Sequence, residues 1–158
     1  MDNIMHKNKT HTMATLSYIS ILLTVIIASI HHIFTFGHLA IVLGIAIVLL
    51  FLIMRAVFQY TRNAAILGIY GLFNAAIIVG AGLVDGFWNH TFKLFIYHLH
   101  NGYIPPLLTH LFQTTTIGNT WYEATGVLTF AASMFAAYFT YRFFRARHDN
   151  NNASNYGE

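Results

Sequence analysis

The stretch ASIHHIFTFGH, residues 28–38, closes one apolar run and opens another. The turn around Gly37 is very short, so the two runs read as a helical hairpin, with His31, His32 and His38 gathered at its closed end. The surrounding chain of 158 residues is 56% hydrophobic and only 8% charged, and its mean hydropathy is +0.57. Soluble domains carry about 25% charged residues, so the composition is that of a membrane protein. Ten histidines outnumber the eight lysines and arginines. Histidine both titrates near neutral pH and ligates metals. With no cysteine in the chain, disulfides, thiolate metal sites and iron–sulfur clusters are excluded.

Working outward, four stretches have the roughly 20 apolar residues that a membrane-crossing helix needs: about 14–34, 38–60, 64–84 and 121–141. The expected fold is all-α, a polytopic membrane four-helix bundle forming one transmembrane domain over 14–145. Residues 1–13 form an N-terminal flank and 146–158 a disordered tail. The first run is too long for a signal-peptide core and lacks a small-residue cleavage site. Lys7 and Lys9, Arg55 and Arg62, and Arg142, Arg145 and Arg147 all fall at one end of such a bundle. By the positive-inside rule that end and both termini are cytoplasmic, in what reads as a bacterial or archaeal plasma membrane. The outer segment, residues 85–120, is too aromatic for a solvated loop. Phe87, Trp88, Phe92, Phe95 and Tyr97 suit an interfacial helix that lids the bundle, ended by Pro105 and Pro106.

This topology brings His31, His32, His38, Asp85, His90 and Glu123 to one membrane depth. Asp85 and Glu123 are the only acidic residues outside the terminal regions, and ionisable groups within a membrane are costly and tend to mark function. Imidazoles with carboxylates suit a transition metal, so these six residues are candidate ligands. Copper or iron is favoured, zinc is less favoured, and Asn89, Lys93 and Trp88 are supporting neighbours. A bis-histidine haem would want ligands deeper in the membrane and is disfavoured. Each residue also has a structural reading: Asp85 as a helix cap, Glu123 as a first-turn residue, and the histidines as interfacial side chains or members of a metal-free polar network.

The positions His31–His32, Asp85–Gly86, Trp88–Asn89–His90, Lys93, and Glu123 with Gly126 resemble a group of small bacterial membrane proteins of unassigned activity. In that group the acidic position before Gly is usually Glu. The resemblance covers about four-fifths of the chain and implies a shared site without implying a reaction.

The leading expectation is therefore a membrane metal-binding protein serving oxidative chemistry on a small apolar substrate, or metal handling. The alternative is an accessory subunit of a larger membrane oxidase or oxygenase complex, with the polar cluster purely structural. Expected partners are the lipid bilayer and either a second copy or a larger complex. Nucleic acid is not expected, since the net charge of +3 comes from flanks that orient the helices.

Overall fold

A computed structural model describes residues 2–155 apart from positions 62 and 115, without the side chains of residues 2–8, 151 and 153–155. Arg62 and the side chain of Lys7, both used to orient the bundle, lie outside the described residues. Helix α1 (Asp2–Phe36) and helix α2 (His38–Thr61) form the expected hairpin. Gly37 joins them at φ +56°, and its N–H donates to the Ile33 carbonyl at 2.8 Å. A left-handed residue just past a helix end is tolerated best as glycine.

Helix α3 (Ala64–Ile77) starts at Asn63, whose side chain accepts from the Ala65 N–H at 2.8 Å. The chain does not leave this helix near Val84. It widens into a π-helix over Ile78–Phe92 and tightens again into α4 (Lys93–Leu99). Ala64–Leu99 is thus one rod of 36 residues, and residues 85–99 extend the third helix instead of forming an interfacial lid. The rod ends at Asn101 and Gly102, which take φ of 54° and 93°. A 3₁₀ turn (Pro106–Leu111) then leads back to α5 (Thr120–Asn155). Helix α5 also runs on through most of the tail expected to be disordered. Asn150 donates to the Thr10 hydroxyl at 2.8 Å, which holds this end of α5 against α1.

Four helices are long and apolar enough to cross a membrane: Lys9–Phe36, His38–Thr61, Ala64–Leu99 and Thr120–Asn150. Between apolar helices in lipid there is little hydrophobic drive, so small residues and side-chain hydrogen bonds decide which faces meet. Helices α1 and α5 show this along their length. Thr10 reaches the Ala146 carbonyl at 3.4 Å, Ser17 the Thr140 hydroxyl at 2.9 Å and His31 the Thr125 hydroxyl at 3.0 Å. Ser17 also meets the Tyr70 hydroxyl at 2.9 Å, and Asn74 donates to Thr140 at 3.0 Å, which ties in α3. Helix α2 lies outside this polar seam and packs chiefly on α1, leaving Val42, Ile45, Ile53 and their neighbours exposed.

The π-helix follows from its sequence. Gly80, Gly82 and Gly86 loosen the backbone, and two side chains reinforce the wide turn by reaching back five residues: Asn89 to the Val84 carbonyl at 3.1 Å and Thr91 to the Gly86 carbonyl at 2.9 Å. Gly86 also lets this segment touch α5 backbone to backbone. A Cβ there would come within 2.7 Å of the Phe130 nitrogen and 2.9 Å of the Gly126 carbonyl oxygen. Gly86→Ala is therefore expected to destabilise the protein by about 1–3 kcal/mol. Gly68→Ala, whose Cβ would meet nothing within 4 Å, is expected to be neutral or stabilising by up to about 1 kcal/mol. Thermal midpoints in detergent would check the pair.

Candidate metal centre

The widened turn decides which side chains share a face. In an α-helix, residues five apart point about 140° from each other at 100° per residue. In a π-helix the backbone bond closes on the fifth residue, so Asp85 and His90 come to the same side and face α1. His31 is supplied from α1, five residues before its end, with its ring fully buried.

Three donor atoms converge. His31 Nε2 lies 3.5 Å from Asp85 Oδ2, and His90 Nε2 lies 3.7 Å from Asp85 Oδ1. One donor atom from each of His31, Asp85 and His90 lies within 4.8 Å of the other two. These separations are beyond a good hydrogen bond. His31 Nε2, His90 Nε2 and Asp85 Oδ2 are three of the five buried polar side-chain atoms without a hydrogen-bond partner among the described residues.

The opposite face of each imidazole explains why no proton lies between them. His31 Nδ1 sits 3.1 Å from the Tyr122 carbonyl and 3.0 Å from the Thr125 hydroxyl. A carbonyl only accepts, so Nδ1 carries the hydrogen. His90 Nδ1 sits 2.7 Å from Glu123 Oε2 and likewise donates. In the neutral rings both Nε2 atoms then present lone pairs toward a carboxylate. Two buried imidazole lone pairs and a carboxylate with one buried oxygen, none of them hydrogen-bonded among the described residues, form an arrangement that could hold a cation. A tetrahedral ion about 2.1 Å from each donor sets its ligands about 3.4 Å apart. The two His–Asp spacings of 3.5 and 3.7 Å run to different Asp85 oxygens, and the group with one donor atom from each residue spreads to within 4.8 Å, so the side chains would draw together around an ion. The group has the donors, the spacing and the burial to hold a metal ion.

Glu123 stands behind His90, not beside it as a ligand. Besides the His90 hydrogen bond, it accepts from the Gly118 N–H at 2.7 Å and from Lys93 Nζ at 3.1 Å. Lys93 also reaches the Thr116 carbonyl at 3.3 Å. Asn89 is turned toward the returning segment, where its side-chain oxygen accepts from the Gln113 N–H at 3.2 Å. Trp88 donates to the Leu111 carbonyl at 2.5 Å. These bonds tie Leu111, Gln113, Thr116 and Gly118 to Trp88, Asn89, Lys93 and Glu123, the residues beside the three donors, so it is the later part of residues 85–120 that packs against this end of the bundle.

His32 Nε2 approaches Asp85 Oδ2 at 3.6 Å, yet His32 is about one-third exposed and lies outside the close group of three. It is placed to add a ligand after a modest side-chain movement. His38 is not brought in: it opens α2 beyond Gly37 with its side chain exposed. Two residues that the sequence does not single out, Tyr122 and Thr125, shape the site together with Gly126. Tyr122 stacks on His31, with centroids 4.4 Å apart and planes at 20°, and Thr125 places its hydroxyl beside the same Nδ1 whose hydrogen the Tyr122 carbonyl accepts. Gly126 makes room for His90, since a Cβ there would fall 2.2 Å from its Cγ. Gly126 was visible in the Glu-x-x-Gly spacing, but its reason is steric and needs the partner helix.

No family model matches the chain, and neither the curated proteins nor the solved structures contain a match. The Gly126 contact generates a test that leaves every donor in place. Gly126→Ala is expected to push the His90 ring out of line and lower metal affinity at least about tenfold, as loss of an orienting contact does. Equilibrium metal titration of the purified protein would measure it.

Proposed function

We propose that this is an integral membrane metalloprotein whose ion is held by His31, His90 and Asp85 near the end of the bundle away from the arginines. The observation that carries the reading is the convergence of three buried donor atoms, each lacking a hydrogen bond, from two helices. The donor set is two histidines and one carboxylate with coordination positions left over, which suits iron(II) first and zinc second, with copper next. An iron(II) ion so held would keep open positions for a small molecule, and this supports oxidative chemistry on an apolar substrate as the use of the site. The protein's own part is to hold the donors: the Tyr122 carbonyl and Glu123 orient the two imidazoles, and residues 111–118 limit water. The exposed part of His32 marks the side from which a reactant enters.

The membrane placement rests on four apolar spans and on the separation of charge. Lys9, Arg55, Arg142, Arg145 and Arg147 lie around the far end of the bundle, which by the positive-inside rule faces the cytoplasm. The metal site then faces outward and both termini inward. Because the chain has no cysteine, single cysteines report cleanly. In intact cells His38→Cys is expected to react with a membrane-impermeant maleimide, and His148→Cys only after permeabilisation. The reverse pattern would invert the topology.

Elemental analysis of protein purified without a histidine tag tests the metal. About one equivalent of iron is expected, with loss of more than nine-tenths of it in His31→Ala, His90→Ala and Asp85→Asn. His38→Ala is expected to retain it, and Glu123→Gln to weaken binding about 10- to 100-fold, as outer-shell changes do. A monodisperse parent that stays metal-free after anaerobic incubation with iron(II), and with zinc, would leave the cluster a polar network and favour the accessory-subunit reading.

A further inference from the structure

The four helices part at the arginine end of the bundle around a cavity of about 690 Å³, in the size range of small-molecule sites. Its interior is lined by Met54, Leu67, Tyr70 and Phe143, all buried members of the apolar core. Arg55 and Arg147 line it as well. The Arg55 guanidinium lies over the Tyr18 ring at 4.5 Å and donates to the Thr15 hydroxyl at 3.3 Å. The Arg147 guanidinium lies over the Phe58 ring at 5.1 Å. Among the described residues no carboxylate lies within 4.0 Å of either.

The positive-inside rule accounts for arginines at this end, and Arg142 and Arg145, in a separate cleft that also contains Asp149, satisfy it equally. It does not account for two guanidiniums lining one apolar-floored cavity with no counter-ion among the described residues. Stacking on aromatic faces holds each fork in place while leaving most of its N–H groups for an oxyanion. The tetrahedral oxygens of a phosphate match that fork, and basic pockets between helices on the cytoplasmic side suit acidic lipid head groups.

We infer that the cavity is a binding site for a phosphate-bearing amphiphile, its phosphate held between Arg55 and Arg147 and its apolar part lying on Met54, Leu67, Tyr70 and Phe143. The phosphate chemistry has two sources, an acidic phospholipid of the inner leaflet or a free small phosphate ester. The apolar floor favours the lipid. This site, which His11 also lines, lies at the opposite end of the bundle from His31 and His90 and stands independently of any metal.

The test uses the full chain in a non-ionic detergent, with binding measured by calorimetry for dihexanoyl phosphatidic acid, dihexanoyl phosphatidylcholine and inorganic phosphate. Phosphatidic acid is expected to bind at least about tenfold more tightly than either of the others. Arg55→Gln/Arg147→Gln is expected to weaken it at least about tenfold, while Arg142→Gln/Arg145→Gln changes it less than about threefold. Where the glutamine pair fails to remain monodisperse, Arg55→Lys/Arg147→Lys keeps the charge, and severalfold weaker binding is expected from loss of the fork alone. Equal weakening by the Arg142/Arg145 pair would reduce the effect to surface charge and overturn the site. Equal binding of phosphatidylcholine would overturn the role of the arginines. Inorganic phosphate binding as tightly as phosphatidic acid would overturn the lipid source and assign the cavity to a free phosphate ester.

Discussion

The carboxylate of Glu123 is the constraint on which the site depends. Buried in the first turn of α5, it takes hydrogen bonds from a backbone N–H of the returning segment, from Lys93 and from His90. Each contact fixes something different: the course of residues 111–118, the neutrality of the buried pair, and the tautomer of an imidazole. A buried carboxylate is tolerated only when charge and hydrogen bonding both compensate it, and this arrangement supplies both. The lone pair on His90 Nε2 is thus set by a group on the far side of its ring.

Much of the molecule is legible in its sequence because long apolar helices leave a plain compositional mark. Apolar length alone marks four spans, and the arginines mark one end. The two interior carboxylates stand out because so few charges are present. His31, Asp85 and His90 could be brought to one depth by topology alone. What could not be read is the way the helix widens. A π-helix changes the angular relation of Asp85 and His90 without leaving a mark in hydrophobic content, and apolar length ended the third helix at 84, just before the polar cluster. The run from Trp88 to Leu99 then looked interfacial because its aromatics are abundant, whereas it continues the rod.

Other differences share a cause: the decisive partner lies on another helix. Gly126 matters because His90 fills its space, Glu123 is an anchor because Lys93 and Gly118 meet it, and His38 stays outside the group because it begins α2 beyond Gly37, exposed. The tail carries the polar composition of a disordered segment, yet Asn150 finds Thr10 and the helix extends. Local composition gives each residue's preference, while its role depends on what stands opposite.

The seam between α1 and α5 has a consequence for how the protein is made. His31 lies on α1, but the groups that orient it, Tyr122 and Thr125, lie 91 and 94 positions later in the chain. A nascent chain ending before α5 holds both histidines and Asp85 with neither ring oriented. The donor set takes its orientation only when α5 packs beside α1, so a group able to hold an ion forms only after α5 has been made.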